Sequence, residues 1–116
     1  AWSKRFAALN NGKYPSMDQA RVYAGIIHYL KAIDAAKTDD GTKTAQKMKD
    51  LPTDDILFGK GSVRKDGRKL HPAYLFEVKK PSESKGPYDY YKLLATIPAD
   101  QAFRPLNEGD CPLVKN

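Results

Sequence analysis

Catalytic and redox chemistry has little to work with in this sequence. Its 116 residues hold one cysteine, Cys111, and two histidines, His28 and His71. A single thiol builds no disulfide framework within the chain. Nothing in Asp110-Cys111-Pro112-Leu113 activates a thiolate, and no histidine stands near it in sequence, so a nucleophilic role is disfavoured. In an exported protein an odd cysteine calls for a partner elsewhere, and a bridge there would tie down a fraying tail. Long apolar runs are also missing. No segment approaches the length that a membrane span needs. Nor is there a set of fully apolar strands of the kind that fill the centre of an α/β sheet. The helices and strands that do appear therefore need a partner upstream in a longer chain or in another subunit.

Dense charge of one sign is the third absence. The net charge is +6, from 20 Lys and Arg against 14 Asp and Glu. The basic residues are dispersed, Lys4, Arg5, Lys31, Lys43, Lys60, Arg64 and Lys79 among them, with no dense tract, and most interleave with acidic ones. That distribution reads as a solvated basic surface before it reads as a nucleic-acid patch.

What is present begins with a helix. Trp2, Phe6 and Leu9 recur at i, i+4 and i+7, and Asn10-Asn11-Gly12 supplies a left-handed stop. No N-cap precedes this helix, which predicts a chain cut or truncated at that point. Tyr14-Pro15 makes an extended connector, and Ser16-Met17-Asp18-Gln19 spells a capping box. The long helix that follows should run to Ala36 or Lys37, with Ala20, Tyr23, Ile26, Ile27, Leu30 and Ile33 as its apolar stripe. His28 lies beside that stripe with no second ligand at helical spacing, so a hydrogen-bonded histidine is expected there rather than a metal ligand. A third helix, 42–50, presents Ala45, Met48 and Leu51 and stops at Pro52.

Two short patterns invite a chemical reading and do not carry it. Asp54 and Asp55 are adjacent and point apart, with no third ligand following, so a capping or turning loop is expected. Gly59-Lys60-Gly61 lacks the further glycine and the helix of a phosphate-binding loop. Beyond it the chain turns to strands. Asp66-Gly67 predicts a two-residue hairpin turn. Tyr74, Phe76 and Val78 alternate with Leu75, Glu77 and Lys79. After a polar loop over 81–87, Tyr88 to Ile97 offers another strand, with Tyr91, Leu93, Ala95 and Ile97 on one side. One helical turn is expected over 98–102, and an irregular tail over 103–116.

In order, these pieces resemble something specific. Tyr14-Pro15-Ser16, Gln19-Ala20 and Tyr23-Ala24 open the long helix, which ends through Ala32-Ile33 into Thr38-Asp39-Asp40. Gly61-x-Val63-Arg64-x-Asp66-Gly67-Arg68 and Tyr74-Leu75-Phe76-Glu77-Val78-Lys79 follow. The chain resembles the C-terminal portion of a periplasmic solute-binding protein of the branched-chain amino-acid type, the receptor component of an ABC importer. Lys79 to Ile97 is similar to a subgroup from soil proteobacteria. The resemblance implies an α/β fold of two lobes that close on a ligand, here only its terminal helices and a small antiparallel strand set, with most of the central sheets missing. Residues 1–58 would be the helical part of the N-terminal lobe. Residues 59–116 would be the hairpin, a hinge crossing, terminal strands and the tail.

The resemblance further implies a periplasmic, non-enzymatic protein without a cofactor or metal. Its partners would be an amino acid or related small acid, a membrane permease and the rest of the parent chain, with no nucleic acid. It places the ligand-facing position at the start of the long helix, at Gln19 and Ala20, where relatives often carry an aromatic residue. Ala20 leaves that space open and Gln19 brings a hydrogen-bonding amide, which departs from a strictly branched-chain specificity. A capping role for Gln19 stands equally beside the ligand role. The alternative of another class is a small basic module for nucleic acid or another anionic partner.

Overall fold

The capping box sets the start of the longest element. In the computed structural model, which describes residues 1–114, helix α2 spans Met17–Ala36 with Ser16 as N-cap. Ser16 Oγ accepts from the Asp18 amide at 3.1 Å, and the Ser16 amide donates to Gln19 Oε1 at 2.8 Å. These bonds satisfy amides that the first helical turn leaves without partners. The helix ends at Lys37, which adopts the left-handed conformation at φ 52°. Before it, α1 (Trp2–Leu9) stops where Asn11 and Gly12 both take positive φ, and the Gly12 amide donates back to the Ala7 carbonyl at 2.9 Å. After it, Asp40 caps α3 (Gly41–Asp50) by accepting from the Lys43 amide at 2.9 Å.

The chain divides into two compact units, 1–60 and 61–116. Lys115 and Asn116, the end of the expected irregular tail, lie outside the described residues. In the first unit α2 packs on α3 and on β1 (Thr53–Asp55). Its buried ridge is Ala24, His28 and Ala32, one residue per turn. The expected stripe is therefore corrected: Ile26 and Leu30 are about half exposed, as are Val22 and Tyr29 on that same uncovered surface. Small side chains let neighbouring elements approach closely, so the alanines and not the larger aliphatics are the buried apolar residues of α2. His28 is fully inside this contact and its Nε2 pairs with the Met48 carbonyl at 2.8 Å. On α3 the buried residue is Thr44, whose Oγ1 donates to the Thr38 carbonyl at 3.3 Å; Ala45, expected to face inward, is exposed.

Strand β1 takes the Asp54-Asp55 pair that was expected in a loop. Asp55 still performs the turn, accepting from the Leu57 and Phe58 amides at 2.9 and 2.8 Å. β2 (Gly59–Val63) lies between β1 and β3 (Lys69–Leu70) in strand order, and Gly59-Lys60-Gly61 is strand rather than phosphate loop. β2 and β3 pair antiparallel through Ser62↔Leu70 and Val63↔Lys69. Their connection is longer than the two residues expected. The Arg64 amide donates to the Arg68 carbonyl at 2.9 Å, and Gly67 alone in the loop has positive φ. This is a three-residue loop closed by a left-handed glycine, the next most common hairpin geometry.

In the second unit β4 (Ala73–Val78) and β5 (Tyr91–Ile97) form an antiparallel ribbon. Phe76 pairs with Leu93 and Leu75 with Ala95, so Leu94 is an extra, bulged residue. Cross-strand partners share a face. Tyr91 and Leu93 therefore sit with Val78 and Phe76, while Ala95 and Ile97 sit with Leu75 and Ala73 on the other side. The single-sided set expected from strict alternation is split by the bulge. Tyr88 and Tyr90 precede the strand in a turn, which Lys79 and Asp89 brace with an ion pair of 2.6 Å. That pair and the Lys85 amide hold the Asp89 carboxyl below its ordinary range. The helical turn expected at Pro98 is present, with the Gln101 and Ala102 amides both donating to the Pro98 carbonyl at 3.0 Å.

Candidate functional site

The N-terminal half of α2 and the whole of α1 leave a cleft between them. The left-handed pair Asn11-Gly12 reverses the chain after α1, and the Tyr14-Pro15 connector delivers it to the cap of α2. Trp2 then meets Phe6 at 5.7 Å and Tyr23 at 5.4 Å between ring centroids, both tilted. These rings with Leu9 and Val22 form the apolar wall of a cleft of about 680 Å³. Three polar side chains complete the lining: Arg5 from α1, and Asp18 and Gln19 from the first turn of α2.

Gln19 makes the capping contact expected of it and also lines this cleft. Its Oε1 accepts from the Ser16 amide and from Ser16 Oγ, which fixes the carboxamide across the helix start. Its amide nitrogen has no such commitment and remains the donor available to the cleft. Ala20 is half-buried and does not line the cleft. Tyr23, expected in the core, is half-buried at its wall. The i, i+4, i+7 pattern of Trp2, Phe6 and Leu9 was the sequence signal for the wall. Arg5 and Asp18 carried no pattern that marked them, because each comes to line the cleft only when the two helices are brought side by side.

The remaining candidates do not assemble. His28 is spent on Met48, and Cys111 is a half-buried free thiol. Among the described residues no group of His, Cys, Asp and Glu could hold a metal ion, and no helix is long and apolar enough to cross a membrane.

The family model for periplasmic binding proteins matches residues 1–87. The chain belongs to the periplasmic binding protein family. Two solved structures of that family align along almost its entire length. A periplasmic binding protein from Burkholderia mallei is 46% identical, with a TM-score of 0.91 over 98% of this chain and 30% of its own. A branched chain amino acid ABC transporter periplasmic ligand-binding protein from Burkholderia xenovorans LB400 is 40% identical, with a TM-score of 0.87 over 96% of this chain and 29% of its own. The chain therefore spans less than a third of the length of these periplasmic binding proteins. No curated protein matches it. The resemblance read from the order of motifs is borne out, as is the inventory of α/β elements, three helices with small antiparallel strand sets.

Proposed function

We propose that this chain is the C-terminal part of the solute-binding receptor of an ABC importer, which captures an amino acid or related small organic acid in the periplasm and presents it to a membrane permease. Residues 1–58 belong on this reading to the helical part of one lobe, and 59–116 to the hinge crossing and terminal strands. The rest of the parent chain supplies the missing lobe walls. Membership in a binding family supports a receptor that transforms nothing.

The observation that carries the ligand class is the lining of the α1–α2 cleft. An apolar wall of Trp2, Phe6 and Val22 is joined by one cation, one anion and one amide donor: Arg5, Asp18 and Gln19. An α-amino acid has the complementary set, a carboxylate, an ammonium and a side chain. Gln19 is the polar contact at the helix start, and Ala20 behind it keeps that turn free of bulk. Closure of two lobes on the ligand would then supply the differential affinity that signals occupancy to the permease.

Gln19→Glu in the full-length protein tests the assignment without destroying the cap. A glutamate at this helix position still accepts from Ser16. Stability is expected to stay within about 0.5 kcal/mol, typical of a surface change that keeps its bonds. The amide donor is replaced by an anion, so affinity for an amino-acid carboxylate should fall about tenfold or more, the effect of roughly 1.4 kcal/mol. Calorimetric titration against a panel of amino acids measures it. Unchanged affinity with unchanged stability would remove Gln19 from the ligand site.

A further inference from the structure

The hairpin and the segment after β5 enclose a smaller pocket of about 210 Å³ within the second unit. Three guanidinium groups line it, from Arg64, Arg68 and Arg104, against one carboxylate, Asp66. Arg64 is already committed. Its Nε and Nη2 donate to the two Asp66 oxygens at 3.1 and 2.6 Å, and its Nη1 donates to the Arg104 carbonyl at 2.8 Å. The Arg64 hydrogen bonds hold the Asp66 carboxyl below its ordinary range, against the burial that pushes it up. This fork neutralises one charge and fastens the hairpin loop to residue 104.

The other two arginines are positioned differently. The Arg68 guanidinium lies over the Phe103 ring, 5.6 Å from its centroid, and Phe103 is itself held edge-on by His71 at 5.4 Å. Arg104 folds back over Gly109, where a Cβ would come within 3.6 Å of Nη2. Neither Arg68 nor Arg104 has a carboxylate partner among the described residues. A guanidinium stacked on an aromatic face keeps its edge N–H donors and loses little freedom when they bind.

We propose that this pocket is an oxyanion-binding subsite in which Arg68 and Arg104 grip one carboxylate or phosphate group, with the Arg64–Asp66 fork as the brace. Guanidinium groups bind either anion with charge-assisted hydrogen bonds, and both line this one pocket. The pocket is small for a drug-sized ligand and suited to one such group with its waters. It lies in the other unit from the α1–α2 cleft and does not depend on the amino-acid reading.

The test is a titration of the ¹⁵N-labelled full chain with inorganic phosphate, and separately with acetate, each against chloride at equal ionic strength. The arginine Nε–Hε resonances are followed. Arg68 and Arg104 should shift and saturate. Saturation by phosphate alone assigns the subsite to phosphate, by acetate alone to carboxylate, and by both to their shared oxyanion chemistry. Arg104→Gln breaks no hydrogen bond of its side chain in the structure, and should raise the midpoint at Arg68 at least tenfold. Shifts that grow linearly and equal those in chloride, or a midpoint unmoved by Arg104→Gln, would overturn the proposal.

Discussion

Two buried polar side chains of the first unit sit under opposite conditions. His28 is enclosed and paired with the Met48 carbonyl, whereas Thr53 is enclosed with Oγ1 lacking any partner. A buried polar atom is costly when unpaired and modestly stabilising when paired. Thr53→Val keeps the shape and deletes the orphan, so it should stabilise the chain by about 1 kcal/mol. His28→Leu removes the Met48 partner and should cost about 2 kcal/mol. Urea denaturation of both variants measures the pair, and a destabilising Thr53→Val would mean that the hydroxyl finds a partner after all. His28 was legible as a hydrogen-bonded residue because no second ligand stood at helical spacing. Thr53 was not, since nothing in Leu51-Pro52-Thr53 distinguishes a buried threonine from an exposed one.

Among elements, the local signals read true and the tertiary ones did not. Ser16 and Gln19 announced the start of α2, and Asn11-Gly12 the end of α1, because capping chemistry is decided within four residues. The packing face of α2 was misread for a physical reason. Apolar residues run almost all round that helix, which is the pattern of a helix buried on more than one side. The largest of them are not those that are buried. The β4–β5 ribbon failed in a similar way, since the bulge at Leu94 cannot be seen in an alternation count. Deleting Leu94 should leave the pairings Phe76↔Leu93 and Leu75↔Ala95 intact and make the ladder regular. The Phe76–Tyr91 ring contact, now 5.8 Å between centroids, should persist in nuclear Overhauser spectra of the deletion. Its disappearance would show that the bulge sets the register rather than interrupting it.

For the whole molecule, the deficit of core noticed in the sequence has become a structural quantity. The buried apolar side chains among the described residues are three alanines, Ala7, Ala24 and Ala32, all in the first unit. In the second unit Tyr74, Phe76, Val78, Tyr91 and Leu93 form one face of the ribbon, and each is more than half exposed. Contiguous apolar surface of this kind marks a contact with further protein, in agreement with a chain that spans under a third of its solved relatives. The α1–α2 cleft has the same character. On the proposed reading it offers a ligand one wall, and in a receptor that works by closure the affinity comes from contacts to both lobes. Hence the 116-residue chain alone should bind an apolar dye such as anilinonaphthalene sulfonate, while calorimetry detects no amino acid binding. The full-length protein should reverse both results, binding its ligand and excluding the dye. Tight amino-acid binding by this chain alone would place the whole ligand site within α1 and α2 and end the two-lobe reading.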